Sequence, residues 1–184
     1  MTRILTFFLL FLSALWCGGA NVYIRSGATG ANNGTSWTDA LTSVPAMTRG
    51  DTCYIASGFY GSWTFSTAES GTNLCTLRAA TTNDHGSDSG WSNGFVGQAI
   101  FTHLGLEAGK GRLTVDGQYA YGIRFTNTAA GRMIESSQVG YWTNFTGITN
   151  LTFRYVEANV PATAEAYPYQ VGQSATCFYL CYFD

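Results

Sequence analysis

The fold is decided by the stretch Arg49-Gly50-Asp51-Thr52-Cys53-Tyr54-Ile55-Ala56-Ser57-Gly58-Phe59-Tyr60-Gly61. Its Gly and Asp residues mark a turn, a β-rich run follows, and two glycines punctuate the end. When the chain is shifted by 22 residues, Cys53 matches Cys75 and Ile55 matches Leu77. These are alternate positions of a strand, so both pairs point to one face. The offset predicts parallel strands that stack about 4.8 Å apart.

Further strand-like runs follow this stretch, and glycine-rich turns separate them. No helical periodicity lies between the runs, which favours an all-β chain. Residues 81–97 are rich in Gly, Asp and Asn and predict a long loop. The downstream runs lie at 99–103, 112–116, 122–127 and 151–157.

The N-terminus has the pattern of an export signal. Arg3 is followed by an apolar run over 4–16, and Gly18-Gly19-Ala20 forms a small-residue cleavage site, so Asn21 is predicted to begin the mature chain. The run is shorter than the roughly 20 residues that a transmembrane helix needs. Acylation at Cys17 is the alternative. The prediction is a signal peptide at 1–20 and a secreted, extracellular or periplasmic protein with no transmembrane segment in its mature chain.

A short helix is expected within an N-terminal cap segment at 21–50. Ser36-Trp37-Thr38-Asp39 is a variant of the capping box. Trp37, Leu41 and Val44 fall on one helical face, and Pro45 ends the pattern. Such an element would cover the open first layer of strands and block strand addition there.

The low charge of the chain argues against nucleic acid as a partner. Charged residues make up 11% of the 184 residues and the net charge is −2, so there is no basic patch for nucleic acid. The last residues, 175–184, are apolar and carry no visible cap. Because the ends of a repetitive fold need a covered or polar face, residues 51–184 are interpreted as coils of an incomplete, longer solenoid; the alternative is a small domain whose end is shielded through partner contacts.

Several segments resemble secreted, pectin-lyase-like proteins: 23–37, 49–60, 81–91, 113–117 and 150–154. The resemblance implies a right-handed parallel β-helix with a short N-terminal capping helix. It also implies extracellular polysaccharide recognition or processing by a lyase-like or hydrolase-like protein. The alternative is a non-catalytic surface, adhesion or structural module. The acidic calcium ligands and arginine base of the lyases cannot be placed here, and no catalytic set is identified.

Candidate substrate-binding residues are aromatic or cationic. Flat aromatic rings suit the apolar faces of sugars, and outward-facing arginines suit a uronate carboxylate. The alternatives are core packing for the aromatic residues and ordinary solvated charge for the arginines. The candidates are Trp63, Trp91, Tyr119, Tyr121, Trp142, Arg124 and Arg154.

Two further predictions, a metal site and a disulfide, each have an alternative. Asp84 and Asp88 could contribute to a Ca²⁺ site, or could form Asx turns in a surface loop. Cys53 and Cys75 could form a disulfide, or could remain buried thiols. The tripeptide Arg49-Gly50-Asp51 matches an adhesion motif, but it lies inside the predicted first strand region. An acid pair or an acid–arginine cluster on one outer sheet face would favour an enzyme, and a smooth face carrying only Thr and Asn ladders would favour a binding module.

Overall fold

The computed structural model describes residues 18–107, 109–118, 121–126, 134–136, 150–159, 176–179 and 182–183. These residues form parallel β-structure, with a 3₁₀ turn at Asn93–Phe95. The strands, in chain order, are β1 (Asn21–Ile24), β2 (Thr52–Ile55), β3 (Gly58–Phe65), β4 (Cys75–Ala79), β5 (Ala99–Leu106), β6 (Leu113–Asp116), β7 (Ile123–Thr126), β8 (Ile134–Ser136), β9 (Leu151–Arg154), β10 (Val156–Asn159), β11 (Thr176–Tyr179) and β12 (Tyr182–Phe183).

The strands divide into two parallel sheets. Sheet 1 has the order β1-β2-β4-β6-β9-β11, and sheet 2 has the order β12-β10-β7-β5-β3, with β8 also paired to β5. From β2 to β7 the chain alternates between the sheets, so each strand pairs with one that is distant in sequence.

The inner faces of the two sheets pack together into one hydrophobic core. Alternate residues of each strand enter it, as the period of two requires. Phe101 and Phe125 lie in register on neighbouring strands with ring centroids 5.6 Å apart. Trp63 contacts Phe101 from the same side of the core at 6.2 Å. The remaining residues of every strand therefore face outward, and the polar ones are the candidates for function.

The expectation of a single right-handed parallel β-helix with a capping helix is wrong. The strands form two separate parallel sheets, and no α-helix occurs in the ranges given above. The pairing offset is not constant either: Cys53 pairs with Leu77, but Leu77 pairs with Val115. The 22-residue match of Cys53 with Cys75 is two residues short of the observed register.

The predicted cap segment covers an edge without forming a helix. Leu41 pairs with Ile24 through an isolated parallel bridge, its N–H donates to the Tyr23 carbonyl, and its carbonyl accepts from Arg25. The Asp39 N–H does donate to Ser36 Oγ, as a capping box requires. Pro45 leaves too few residues for a stable helix, and the unpaired edge of β1 takes Leu41 instead.

The loop between β4 and β5 folds back over the outer face of sheet 1. It covers a second apolar cluster that includes Tyr23, Trp37 and Tyr54. The Trp37 indole N–H donates to the His85 carbonyl at 3.0 Å, and the Trp37 backbone N–H donates to the Ser89 carbonyl at 3.0 Å. The part of the outer face around Tyr23 and Tyr54 is therefore buried beneath the loop.

Candidate functional site

The outer face of sheet 1 carries a row of threonines beside a row of charged groups. Thr52, Thr76, Thr114 and Thr152 pair in register on four successive strands. Two residues further along the same strands lie Tyr54, Arg78, Asp116 and Arg154. The sheet register thus brings together two rows of polar side chains. Within each row, neighbouring residues lie on adjacent strands, about 4.8 Å apart.

The charged row and one loop residue form an ion-pair network, here called the first cluster: Arg78, Asp84, Asp116 and Arg154. Asp116 Oδ2 lies 2.6 Å from Arg154 Nη2 and 3.6 Å from Arg78 Nη2. Asp84 Oδ2 lies 3.1 Å from Arg78 Nη1. The Asp116 side chain is only 6% exposed, and its Oδ1 accepts the Gln118 N–H at 3.1 Å. Two positive and two negative charges cancel within the cluster.

The neighbouring tyrosine reports how enclosed this cluster is. Burial raises the pKa of Tyr54, and the negative charge of Asp84 raises it further. The loop supplies both effects, because it lies over Tyr54 and carries Asp84. Each carboxylate of the cluster is committed to a guanidinium, so neither is free to act as a general acid or base. The first cluster therefore holds the loop and the sheet together.

The outer face of sheet 2 carries a different row. Phe59, Ile100, Arg124 and Glu157 pair in register across β3, β5, β7 and β10. The Phe59 ring is 62% exposed, although large aromatic residues are usually buried. The register places Tyr182 of β12 at the next position of the row.

The polar end of this row is a second cluster: Gln98, Arg124 and Glu157. Arg124 Nε lies 3.4 Å from Glu157 Oε1, and Gln98 Nε2 donates to Glu157 Oε2 at 2.5 Å. The same Gln98 nitrogen lies 3.2 Å from the Tyr121 carbonyl. The guanidinium, carboxylate and amide are planar groups side by side, next to an apolar ring and an aliphatic side chain. Such a surface can pack against a flat apolar ligand face and hydrogen-bond its polar edge.

The predicted aromatic platform is not assembled in one place. Trp63 is buried in the core, where no ligand can reach it. Trp91 stacks on His85 with ring centroids 4.1 Å apart, and packs on the buried Trp37. Tyr121 lies in the turn before β7 with a φ of +48°. Tyr119 and Trp142 lie outside the described residues.

Both predicted arginines face outward, but they are separated. Arg124 lies on sheet 2 and Arg154 on sheet 1. Each is paired with a carboxylate, Glu157 and Asp116 respectively. The outward facing of both arginines is confirmed, but each guanidinium is paired with a carboxylate of the protein and neither is held open for a uronate.

The two loop carboxylates of the Ca²⁺ prediction point to different partners. Asp84 pairs with Arg78, and Asp88 Oδ1 lies 2.8 Å from His85 Nε2. Within the described residues, no three His, Cys, Asp or Glu side chains converge in a way that could hold a metal. Asp84 lies in a turn capped by Thr81, whose Oγ1 accepts the Asp84 N–H at 3.1 Å, and its carboxylate pairs with Arg78, so these contacts are not those of an Asx turn.

Cys53 and Cys75 are both free, buried thiols. Cys53 pairs with Leu77, so Cys75 is displaced diagonally by two residues along the next strand. Such diagonal neighbours lie about 8 Å apart at Cα, beyond the limit for a disulfide. Burial raises the pKa of Cys53 to about 12, with further contributions from Asp51 and Cys75.

The adhesion-like tripeptide is enclosed by the fold. Arg49 donates to the backbone carbonyls of Thr67, Ala68, Gly111 and Arg112. Asp51 is 8% exposed and accepts the N–H groups of Thr48 and Ala20. Neither side chain is presented to a receptor.

Sequence reasoning missed Phe59, Arg78 and Gln98. No sequence signal identified Phe59, because period-two counting puts it in phase with the buried residues Trp63 and Phe65, and only the irregular pairing of β3 with β5 turns it outward. Arg78 follows Leu77 in β4 and so lies on the opposite face. Gln98 precedes its strand, and only the fold reveals its contact with Glu157, which is 59 residues away.

Comparison with known proteins gives no relative: no family model, no curated protein and no solved structure matches the chain. The resemblance to pectin-lyase-like proteins accordingly stays a prediction from the sequence. Among the described residues, no helix is long and apolar enough to cross a membrane.

Proposed function

We propose that this chain is an exported protein that binds a polysaccharide on the outer face of sheet 2. The observation that carries the proposal is the row in which the exposed Phe59 ring lies in register with Ile100, Arg124 and Glu157. A pyranose has an apolar face and a polar edge. The row offers an aromatic and aliphatic surface for the first, and planar hydrogen-bonding groups for the second.

The charge of the row favours a neutral polysaccharide. Arg124 and Glu157 compensate each other, so the surface carries both donors and acceptors but no net charge. A vicinal pair of hydroxyls can donate to the carboxylate and accept from the guanidinium. Strands repeat about every 4.8 Å, close to the length of one pyranose unit, so consecutive sugars can meet consecutive positions of the row.

Recognition fits this face better than catalysis. The carboxylate of Glu157 is engaged by both Arg124 and Gln98, and a glycosidase needs two carboxylates at a defined separation. Sheet 1 carries the acid–arginine cluster expected of an enzyme rather than a smooth threonine face, but each carboxylate of that cluster is paired with a guanidinium, so catalysis is not proposed there. Export is proposed from the leader pattern at 1–20.

Binding to soluble polysaccharides tests the proposal. In affinity electrophoresis and calorimetry with neutral glucans, mannans and polygalacturonate, we expect a neutral polymer to bind best. Phe59→Ala should weaken that binding roughly 10-fold, the effect of losing one stacked ring. Leu74→Ala is the matched control, because Leu74 is also an exposed apolar residue, at 43%, but lies away from the row.

Two outcomes would contradict the proposal. Equal affinity of the Phe59→Ala and wild-type proteins would remove the sheet 2 face as the binding surface. Accumulation of new reducing ends during incubation with a polysaccharide would contradict the assignment of recognition rather than catalysis.

A further inference from the structure

The carboxylate of Asp51 lacks a cationic partner among the described residues. It is 8% exposed, and its oxygens accept the N–H groups of Ala20 at 2.9 Å and Thr48 at 2.7 Å. The guanidinium of the neighbouring Arg49 donates hydrogen bonds to four backbone carbonyls. A buried carboxylate is costly unless a positive charge or enough hydrogen bonds compensate it.

The leader sequence permits two cleavage positions. A signal peptidase requires small residues immediately before the cut and two positions earlier. Cleavage after Ala20 satisfies this with Gly18 and Ala20, and cleavage after Gly19 satisfies it with Cys17 and Gly19. The sequence pattern alone therefore does not separate the two positions.

The hydrogen bonds of Ala20 distinguish the two cleavage positions. Its N–H donates to Asp51 Oδ1, and its carbonyl accepts the Thr52 N–H at 2.9 Å, which extends the pairing of β1 with β2. Cleavage after Ala20 would remove both groups, leaving the Asp51 carboxylate one donor short and the Thr52 N–H without its acceptor. Cleavage after Gly19 keeps both bonds.

We infer that the leader is removed between Gly19 and Ala20, and that the new α-ammonium of Ala20 forms an ion pair with Asp51. This inference rests on the proposed export, and it moves the predicted mature N-terminus from Asn21 to Ala20. The nitrogen is already 2.9 Å from Oδ1, and an α-amino group is charged at neutral pH. Cleavage replaces an uncharged donor to the carboxylate with a positively charged one, so the hydrogen bond becomes an ion pair and processing stabilises the fold.

The intact mass of the exported protein tests the cleavage position. The full chain, with its own leader, is expressed in a bacterial host, and the mass of the periplasmic or secreted form is measured. A chain that begins at Ala20 supports the inference, and a chain that begins at Asn21 overturns it. A chain that keeps its leader and stays inside the cell removes the proposed export, and with it the premise of this inference.

Thermal unfolding tests the ion pair separately. Chains that begin at Ala20 and at Asn21 are released from a removable N-terminal fusion, each with Asp51 and with Asp51→Asn. The Ala20 chain should unfold a few degrees above the Asn21 chain, and this difference should shrink in the Asp51→Asn pair. An unchanged difference in the Asp51→Asn pair would show that the α-ammonium does not act through Asp51. If Asp51→Asn fails to fold, the mass measurement still decides the cleavage position.

Discussion

Asp116 holds the outer face of sheet 1 together at the scale of single residues. One oxygen contacts two arginines, Arg78 and Arg154, and the other accepts the N–H of Gln118. Through Arg78 the network reaches Asp84, and so it ties the long loop to the sheet. The carboxylate is nearly buried, while both guanidiniums are partly exposed. Removing the acid should therefore lower the stability of the protein more than removing either arginine.

We predict that Asp116→Asn lowers the free energy of unfolding by about 2 kcal/mol, because two guanidiniums then lose their shared counter-charge. Urea denaturation measures the change. Asp88→Asn is the control: that side chain is 98% exposed, so solvent screens its charge and little change is expected. Equal losses in the two variants would mean that the network at Asp116 adds no stability of its own.

The buried cysteines give a second prediction. Burial raises the pKa of Cys53 to about 12, so at pH 8 the group is a neutral thiol that does not attack alkylating reagents. We expect native protein to resist iodoacetamide at Cys53 and urea-unfolded protein to react fully, as followed by mass spectrometry. Rapid labelling of Cys53 in the folded protein at pH 8 would contradict its placement in the core.

At the residue scale, the sequence predicted which sheet face a side chain lies on, but it did not predict the register in which strands pair. Period-two alternation correctly placed Arg124 and Arg154 on outer faces and Ile55 and Leu77 inside. The same pattern cannot fix register to better than two residues, because a shift of two keeps every side chain on its face. For that reason Cys53 was matched with Cys75 rather than with Leu77.

The loop at 81–97 is the element that distinguishes the two ends of the sheet 1 face. It supplies Asp84 to the first cluster and covers Trp37, whose indole donates to the His85 carbonyl. Its close approach depends on glycine: Gly90 has a φ of +75°, and a Cβ there would clash with the backbone and side chain of Thr38. A side chain at this position would push the loop away from Trp37.

We predict that Gly90→Ala destabilises the protein by more than about 2 kcal/mol and red-shifts tryptophan fluorescence as water reaches Trp37. Gly71→Ala is the matched control, because Gly71 also has a positive φ, +59°, but has nothing within 4 Å of the added methyl. It should cost about 1 kcal/mol, the backbone term alone, without a spectral change. A spectral change in the control, or none in Gly90→Ala, would contradict the proposed role of the contact.

At the element scale, strands were predictable and the helix was not. The runs at 99–103 and 112–116 fall on β5 and β6, because β-branched and apolar alternation is a local signal. The capping box at Ser36 is equally local, and its bond to the Asp39 N–H is present. What decided against a helix was the bridge of Leu41 with Ile24, a tertiary contact that no local pattern encodes.

The whole molecule depends on one core between two sheets. Phe101 is fully buried at the centre of an aromatic stack with Tyr60 and Phe125, at centroid distances of 5.5 and 5.6 Å. Phe59 belongs to the neighbouring strand but lies on the opposite face and is mostly exposed. The same residue type thus has opposite roles on the two faces of one sheet.

We predict that Phe101→Ala lowers the free energy of unfolding by about 3–5 kcal/mol, through lost burial and a cavity. Phe59→Ala should lower it by less than about 0.5 kcal/mol, because the ring packs against little. Chemical denaturation of both variants measures the difference. Similar losses would show that the Phe59 ring is packed against the protein in solution and is not a free ligand surface.

The overall architecture was the least predictable level. The pairing of β3 with β5 joins residues about 40 positions apart, and the next pairing, β5 with β7, spans far fewer. Loops of unequal length cost almost the same to close, so nothing local fixes a constant repeat. The second cluster has the same origin: Gln98 meets Glu157 only after three strands of sheet 2 are in place.

The contact of Leu41 with the first strand has a consequence for behaviour at high concentration. A free sheet margin offers a row of donors and acceptors to any extended peptide, including another molecule of the same sequence. Here that margin is occupied on both sides of Tyr23, by the Gly34 carbonyl and the Leu41 N–H. Fibril-like self-association through this margin would first require the segment around Leu41 to detach, so the attachment of that segment protects the protein against aggregation.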